Sequence, residues 1–230
     1  ALPLVLVILV FLHIIALHEV GSNNPDGVAI KKPKGSVPDE EKPKFKFHER
    51  FTKKYDIVDA IPFYPYYIVK DLIGIGIFLF FFCYVIFFNP EMGGFFLEPP
   101  NFEPANPLKT PELIAPVWYF TPFYAILRAV PDKLLGVILM FAAIVLLALL
   151  PWIDRGKVRS IRYRSMFHKL NLVNFVISFV VLGYLGTQPA TPVATLFAQI
   201  FTFLYFAFFV FLFFYSRREK TKPVPERVTS

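Results

Sequence analysis

A histidine inside an apolar segment is the first residue of this sequence with a side chain suited to chemistry. His13 lies within residues 1–17, whose other side chains are almost all apolar. An ionisable side chain within a membrane-spanning helix is costly unless it has a partner, which makes it a functional candidate. Neutral imidazole is the usual axial ligand of haem iron. The alternative is a structural hydrogen bond to a neighbouring helix, and the spacing alone leaves both interpretations open.

Further titratable side chains are predicted at one depth near the membrane surface. His18 ends the first apolar segment and is followed by the turn-forming residues 21–25. Lys70 and Asp71 begin the next apolar segment. Histidine, lysine and aspartate groups that meet at one depth can exchange protons with a bound quinone. The alternative is an interfacial salt bridge together with a helix cap.

An aromatic stretch between two apolar segments is the third candidate. Residues 116–128 contain two prolines, end in Arg128 and carry five aromatic side chains, namely Trp118, Tyr119, Phe120, Phe123 and Tyr124. Their apolar character predicts a short helix along the membrane surface. Aromatic residues at an interface usually anchor a protein in the membrane. The functional alternative is an apolar pocket with a few polar groups for a ring-shaped ligand.

Apolar segments of membrane length must position these residues. A hydrocarbon core about 30 Å thick requires about 20 helical residues, and only helices satisfy every backbone group at such lengths. The sequence is 56% hydrophobic, with a mean hydropathy of +0.54. Its apolar segments are 1–17, 72–89, 134–153, 170–187 and 193–215. We therefore predict an all-α integral membrane protein with about five transmembrane helices, the first one truncated, and an outer amphipathic loop helix.

The charge distribution predicts which connections face the cytoplasm. Residues 21–70 hold ten Lys or Arg, residues 154–169 hold six and the tail from 216 holds five. Residues 90–133 hold three against five acids, and residues 188–192 hold none. The positive-inside rule then places the aromatic stretch on the outer face. Because the basic residues flank apolar spans, the net charge of +7 indicates a membrane and not nucleic acid.

A domain organisation follows from the spans and charges. It consists of a truncated helix with a haem ligand (1–20), a cytoplasmic connection (21–70), a helix (71–90), an outer loop (91–133), three helices (134–215) and a basic tail (216–230). The lysine-rich residues 26–60 are predicted to form a solvated insertion, with lipid headgroup contact as the alternative. The single cysteine, Cys83, excludes a disulfide framework.

The order of these motifs resembles the C-terminal part of cytochrome b, the haem-bearing membrane subunit of a bacterial quinol:cytochrome c reductase. The matching segments are 17–25, 65–67 with 70–71, 104–108 with 110–111, 116–128 and 186–189, and the insertion 26–60 stands outside the resemblance. It implies quinol oxidation at an outer site and quinone reduction at an inner site through b haems, coupled to proton translocation. The fragment alone is not expected to be active.

The resemblance also implies roles for individual residues. His13 would be an axial ligand of the inner haem, one ligand for the two haems b of a complete cytochrome b. The inner quinone site would contain His18, Ser22, Phe63, Lys70 and Asp71. The outer site, which oxidises ubiquinol, would contain Trp118, Tyr119, Phe120 and Tyr124. Tyr119, Tyr124, His18 and Asp71 would serve catalysis directly.

One departure from the family pattern concerns proton transfer. Most members carry glutamate where this chain has Val117, and a valine side chain cannot accept the quinol proton. Glu112 is the nearest remaining carboxylate in the sequence.

Partners are a further implication of the resemblance. They are the N-terminal half of cytochrome b, a Rieske iron-sulfur protein, a cytochrome c1-type subunit and membrane lipid, in a homodimeric complex of the bacterial inner membrane. The alternative function is a non-catalytic helical scaffold or assembly subunit that retains a quinone-pocket shape. A transporter is disfavoured because the predicted helices lack buried charge pairs.

Overall fold

Helices dominate the chain, for which the computed structural model describes residues 2–22, 24–45, 53–94, 102, 104–109 and 114–228. The helices are α1 (Leu2–Val20), α2 (Tyr66–Phe88), α3 (Thr121–Ala129), α4 (Lys133–Ala148), α5 (Leu150–Ile153), α6 (Met166–Thr187) and α7 (Pro192–Tyr215). Two short strands, β1 (Lys31–Pro33) and β2 (Tyr55–Ile57), accompany them. This helical architecture confirms the predicted fold class. The chain divides into two compact units, Ala1–Val28 with Glu112–Ser230, and Ala29–Pro111.

Within the described part of the chain, four helices are long and apolar enough to cross a membrane. They are α1, α2, α6 and α7. Their helical stretches contain 19 to 27 residues, with the last one counted from Pro192 to Arg218, and have mean hydropathies between 1.8 and 2.4. A helix of 19 residues is about 28 Å long, close to the thickness of a hydrocarbon core. Leucine, isoleucine and phenylalanine side chains cover α1 and α2 on all sides, and neither helix contains a buried residue. Such helices are suited to lipid or to further protein around them.

The predicted span 134–153 is wrong as one continuous helix. It divides at Leu149 into the 16-residue α4 and the four-residue α5. Pro151 explains the break, because proline has no N–H for the carbonyl four residues earlier and its ring clashes with that carbonyl. The amide of Trp152 instead donates to the Leu149 carbonyl at 3.0 Å. The exact number of transmembrane helices therefore stays a prediction.

The core of the first unit lies among α3, α4, α6 and α7. Ile126 of α3, Leu182 of α6 and Tyr205 of α7 are completely buried there. Polar groups join the helices as well, since the Tyr205 hydroxyl donates to the Ala143 carbonyl at 3.0 Å. The side-chain nitrogen of Asn171 donates to the Phe208 carbonyl at 3.2 Å. In an apolar environment such interhelical hydrogen bonds contribute about 1 kcal/mol each.

Three helices of this unit begin at residues whose side chains cap them. The side chains of Asp132, Ser165 and Thr191 each accept a hydrogen bond from the first turn of α4, α6 and α7, respectively. Such side-chain acceptors satisfy amide groups that have no partner within the helix. The boundaries of these three helices are therefore fixed by local sequence as well as by packing.

The lysine-rich insertion contains a strand pair that its sequence did not predict. In the second unit, β1 and β2 are antiparallel, with Lys32 opposite Asp56. The buried Asp56 carboxylate accepts a hydrogen bond from the Gly35 amide at 2.6 Å and lies 3.2 Å from the Lys42 ammonium. Burial opposes ionisation of Asp56, but these two partners outweigh burial and keep the pKa of its carboxyl below the usual value. The insertion is thus organised around a buried charge.

Candidate functional site

His13, the predicted haem ligand, lies on α1 with its side chain exposed. Within the described part of the chain, no hydrogen bond or ion pair engages its imidazole. No group of three or more His, Cys, Asp or Glu side chains suited to a bare metal ion occurs there either. A haem needs only one nitrogen donor from each side of its iron. The donor chemistry of His13 therefore fits one axial position, and its assignment as ligand stays a prediction.

His18 and Ser22, two of the predicted inner-site residues, lie where α1 ends. Gly21 adopts a left-handed conformation, with φ of 79°, and its amide donates to the Leu17 carbonyl at 2.7 Å. Glycine takes this conformation without steric cost and commonly ends helices in this way. His18 is in the last turn, and both it and Ser22 are exposed. Both side chains are thus accessible to a ligand.

The turn after Ser22 is closed by Asn24. Its side-chain oxygen accepts from the Val28 amide at 3.1 Å, and its side-chain nitrogen donates to the Val28 carbonyl at 2.7 Å. Asparagine commonly forms such side-chain to backbone hydrogen bonds in turns. Hydrogen bonds therefore hold the chain at Gly21, before Ser22, and between Asn24 and Val28, after it.

The remaining inner-site candidates belong to the second unit, at the start of α2. Phe63 and Tyr67 are stacked, with ring centroids 6.2 Å apart and planes 6° from parallel. The Lys70 ammonium lies 5.8 Å from the Tyr67 ring centre, close enough for a cation–π interaction. Asp71 is exposed in the second turn of α2, which begins at Tyr66. The alternative interpretation of Asp71 as a helix cap does not apply, because the N-cap residue is Pro65, and the role of Asp71 in the inner site stays a prediction.

The outer aromatic stretch forms a turn that leads into α3. The Phe120 amide donates to the Val117 carbonyl at 2.8 Å, and the Thr121 hydroxyl donates to the Trp118 carbonyl at 2.7 Å. Pro122 stands in the first turn of α3, where its missing N–H costs nothing. The predicted short helix within residues 116–128 is therefore present as α3.

The aromatic side chains of this stretch divide into an exposed set and a buried one. Trp118 is 82% exposed, and Tyr119 and Phe120 are exposed beside it. The Trp118 and Tyr119 rings meet edge to face at 5.6 Å, whereas Phe123 is buried against Phe179 of α6 at 5.9 Å. Buried Phe123 attaches α3 to the core, and the exposed rings of Trp118, Tyr119 and Phe120 form what we call the aromatic surface.

Arg128 fixes the other end of α3. Its Nη2 atom donates to the carbonyls of Leu185, at 2.9 Å, and Gln188, at 2.8 Å. These carbonyls belong to the C-terminal end of α6, which carries partial negative charge. The guanidinium also lies 4.7 Å from the centre of the Tyr124 ring. Arg128 therefore holds α3 on α6 and limits the orientation of Tyr124.

Glycines allow α3 to approach its neighbours closely. A Cβ atom on Gly186 would lie 2.1 Å from the Thr121 carbonyl oxygen, and one on Gly136 would lie 2.6 Å from the Leu127 carbonyl oxygen. Any larger residue at Gly186 would separate α3 from α6. The side-chain nitrogen of Gln199, in α7, also donates a hydrogen bond to the Ala129 carbonyl at 2.9 Å. The aromatic surface thus stands on a closely packed base.

Val117, which stands where most family members carry glutamate, has an exposed side chain. Val117 is 49% exposed and precedes Trp118 directly. Glu112, the alternative carboxylate, lies outside the described residues. The identity of the proton acceptor therefore stays unassigned.

A buried ionic cluster joins α6 to the chain before and after it. Arg164 forms paired hydrogen bonds with Asp154, at 3.0 Å each, and its Nε lies 2.6 Å from the Glu219 carboxylate. His168 Nδ1 lies 3.0 Å from Arg164 Nη2 and 2.9 Å from the Tyr215 hydroxyl. Arginine only donates, so Nδ1 accepts. Burial opposes ionisation of Asp154, but Arg164 outweighs it and keeps the pKa of that carboxyl below its usual value.

Several of these functional contacts were missed by sequence reasoning. Arg128 stood out only as the end of a motif, because its partners lie 57 and 60 residues further on. The ionic cluster has no local signature at all, since Glu219 follows Arg164 by more than fifty residues. The two glycines near the end of α6, Gly183 and Gly186, are by contrast a visible signal of close helix packing.

These features define a multi-helix membrane protein with an aromatic surface at the end of a helical core. Residues 104–206 match the sequence family described as cytochrome b (C-terminal)/b6/petD. Along its full length, the chain is 57% identical to cytochrome b of Allochromatium vinosum, of which it covers 53%. The chain belongs to the cytochrome b family, which confirms the resemblance seen in its sequence, and it is a multi-pass membrane protein.

More distant relatives extend the same similarity. Cytochrome b of Rhodospirillum rubrum is 44% identical over 99% of the chain and 50% of that protein. A solved structure, titled hyperthermophilic respiratory Complex III, superposes with a TM-score of 0.74 at 35% identity, over 94% of this chain and 49% of that one. The chain spans about half the length of the cytochrome b relatives that it matches. The family implies haem binding and quinone interaction.

Proposed function

We propose that the chain forms the C-terminal half of a cytochrome b that oxidises quinol at an outer site and reduces quinone at an inner site. It would act within a quinol:cytochrome c reductase coupled to proton translocation. The aromatic surface carries this proposal, because exposed rings on a turn that leads into a tightly packed helix are suited to a flat ring-shaped ligand. Membership of the cytochrome b family supports it independently.

At the outer site, the chain's own residues would bind and orient ubiquinol. Trp118 and Phe120 offer ring faces and edges for stacking, while the hydroxyls of Tyr119 and Tyr124 can donate to or accept from the two quinol oxygens. Oxidation of quinol to quinone releases two electrons and two protons. Val117 takes no proton, so the acceptor must be another group or water.

At the inner site, the quinone would gain two electrons and two protons. His18 and Asp71 can deliver protons to its two oxygens, because imidazole and carboxyl side chains are common general acids in proteins. Lys70 and Ser22 can donate hydrogen bonds to the same oxygens. Phe63, stacked on Tyr67, offers an apolar face to the ring.

His13 would be a ligand of the inner haem b, the one nearer the cytoplasmic face. A bound haem supplies one-electron transfer between the two quinone sites. The other ligands of the two haems in the complete protein would come from the N-terminal half of cytochrome b. A Rieske iron-sulfur protein and a cytochrome c1-type subunit would be the redox partners, in a dimeric complex of the bacterial inner membrane.

Absorption spectroscopy of membranes that contain the complete protein tests this function. We expect two b-type haems that decylubiquinol reduces, together with reduction of added cytochrome c. The alternative, a scaffold or assembly subunit with a quinone-pocket shape, predicts haem-free material, and that result would exclude the proposed function. Trp118→Ala is expected to slow quinol oxidation while both haem spectra remain.

A further inference from the structure

A buried carboxylate follows the inner-site segment of α1. The side chain of Asp26 has 0% exposure. Its Oδ1 atom accepts hydrogen bonds from Arg162 Nη1, at 2.9 Å, and from the Tyr163 hydroxyl, at 2.8 Å. A buried charge is stable only when donors compensate for its lost hydration. Asp26 is therefore bound specifically to the connection between α5 and α6, 136 residues away.

The backbone on both sides of Asp26 lies against the same connection. The Ser160 hydroxyl donates to the carbonyl of Pro25. Gly27 is in the left-handed region, with φ of 68°, and a Cβ atom there would lie 3.1 Å from Arg159 Cβ and 3.2 Å from the Ser160 nitrogen. Asp26 is thus the central contact of a three-residue junction and not an isolated ion pair.

This junction sets the position of the segment that carries the predicted inner-site residues. Ser22 precedes Asp26 by four residues, and the Asn24 turn that closes on Val28 joins the two. His18 and Ser22 are exposed, and Gly21 separates them at the end of α1. The two ends of this short segment are consequently fixed by the α1 cap on one side and by Asp26 on the other.

We propose that Asp26, held by Arg162 and Tyr163, is a positioning residue for the inner quinone site. It acts through the turn from Asn24 to Val28, which follows Ser22, and does not touch the quinone. Loss of its charge would weaken the hydrogen bonds that Arg162 and Tyr163 donate to Oδ1 and would loosen the attachment of this segment to the connection between α5 and α6. The proposal rests on the proposed inner site and adds to it a residue that binding of the quinone depends on.

Asp26→Asn tests the proposal in membranes that contain the complete, assembled protein. The concentration of decylubiquinone that gives half-maximal reoxidation of the reduced inner haem should rise about tenfold, since small displacements of binding groups have effects of this size or larger. The maximal rate should change by less than about twofold, because the groups that transfer protons remain. Haem spectra and quinol oxidation at the outer site should be unchanged.

Two further variants keep the test decisive. Arg162→Gln and Tyr163→Phe each remove one donor while the carboxylate remains, and each should raise the same concentration by a smaller factor. Combining Asp26→Asn with Arg162→Gln should add little to the larger single effect, because both act on one interaction. Lys157→Gln, which removes a charge from the same connection without touching Asp26, is the matched control and should behave as the parent protein.

The outcomes separate this proposal from the function on which it rests. If Asp26→Asn assembles and leaves the half-maximal concentration within about twofold, Asp26 does not position the site. Should Asp26→Asn fail to accumulate, unchanged values for Arg162→Gln and Tyr163→Phe would overturn the proposal equally. If His18→Ala leaves reoxidation by decylubiquinone unaffected, the inner site itself is wrongly assigned, whatever Asp26 does.

Discussion

Arg128 Nη2 donates a hydrogen bond of 2.9 Å to the carbonyl oxygen of Leu185, and this contact joins the end of α3 to the last turn of α6. The same nitrogen reaches Gln188, and the guanidinium plane lies over Tyr124. One side chain thus connects the helix end, the helical core and an aromatic ring of the predicted outer site. Lysine cannot reproduce this planar arrangement of donors.

Arg128→Lys is accordingly expected to slow quinol oxidation at the outer site by about tenfold or more. Decylubiquinol-dependent haem reduction in membranes measures this rate, and the haem spectra should be retained. Arg155→Lys is the control, because Arg155 also packs against an aromatic ring, Phe213, but lies outside the aromatic stretch. Equal effects of the two changes would contradict a specific role for Arg128.

Gly186→Ala should destabilise the contact between α3 and α6. The added methyl group would overlap with the Thr121 carbonyl oxygen, and overpacking of this kind costs about 1–3 kcal/mol. The thermal unfolding midpoint in detergent should fall. Gly183→Ala is a matched control one turn earlier, since its Cβ would lie at ordinary distances of 3.6 and 3.7 Å from Pro122 and Thr121, and it should leave the midpoint nearly unchanged.

His13→Leu should abolish the absorption of the inner haem while that of the outer haem remains. Leucine keeps the apolar helix intact but offers no nitrogen to iron. Redox difference spectra of membranes measure both haems. His18→Ala, five residues later on the same helix, should keep both, and retention of both haems in His13→Leu would refute the ligand assignment.

Val117→Glu should be tolerated, because the side chain is half exposed and a carboxylate there keeps its contact with water. The free energy of unfolding should change by less than about 0.5 kcal/mol. With the family's usual acid restored, quinol oxidation should become faster as pH rises through the pKa of the new carboxyl. Val117→Gln supplies similar size without a proton acceptor, so a rate gain shared by both variants would speak against proton acceptance.

Asp154 predicts a pH dependence of stability. Burial opposes its ionisation, but Arg164 lowers its pKa in the folded protein below the value of about 3.9 expected when unfolded. The stabilisation is therefore complete above about pH 4 and is lost as pH falls through the folded-state pKa. Asp154→Asn should lower the unfolding midpoint at pH 7 and weaken its decline in acid. Glu226→Gln, in the exposed tail, should leave both unchanged.

Long-range contacts mark the limit of what the sequence predicts. Apolar length and composition were sufficient for the helical class, the resemblance of the ordered motifs was sufficient for the family, and a short helix at residues 116–128 was expected. Pro151 was a visible warning of the break at Leu149. In contrast, the strand pair depends on Asp56 meeting Gly35 and Lys42, which are far from it in sequence. Such pairings follow from the folded chain and have no local pattern.

The close approach of Thr121 to Gly186 also restricts how the outer site can move. A carbonyl oxygen seated against a glycine Cα leaves no space for α3 to slide or rotate along α6 without separating from it. Arg128 opposes that separation. Under the proposed function, adjustment to a passing quinol would then come from rotamer changes of Trp118 and Tyr119, which are fast compared with displacement of a helix. Exchange of ligand at this surface would thus be a side-chain process on a stationary backbone.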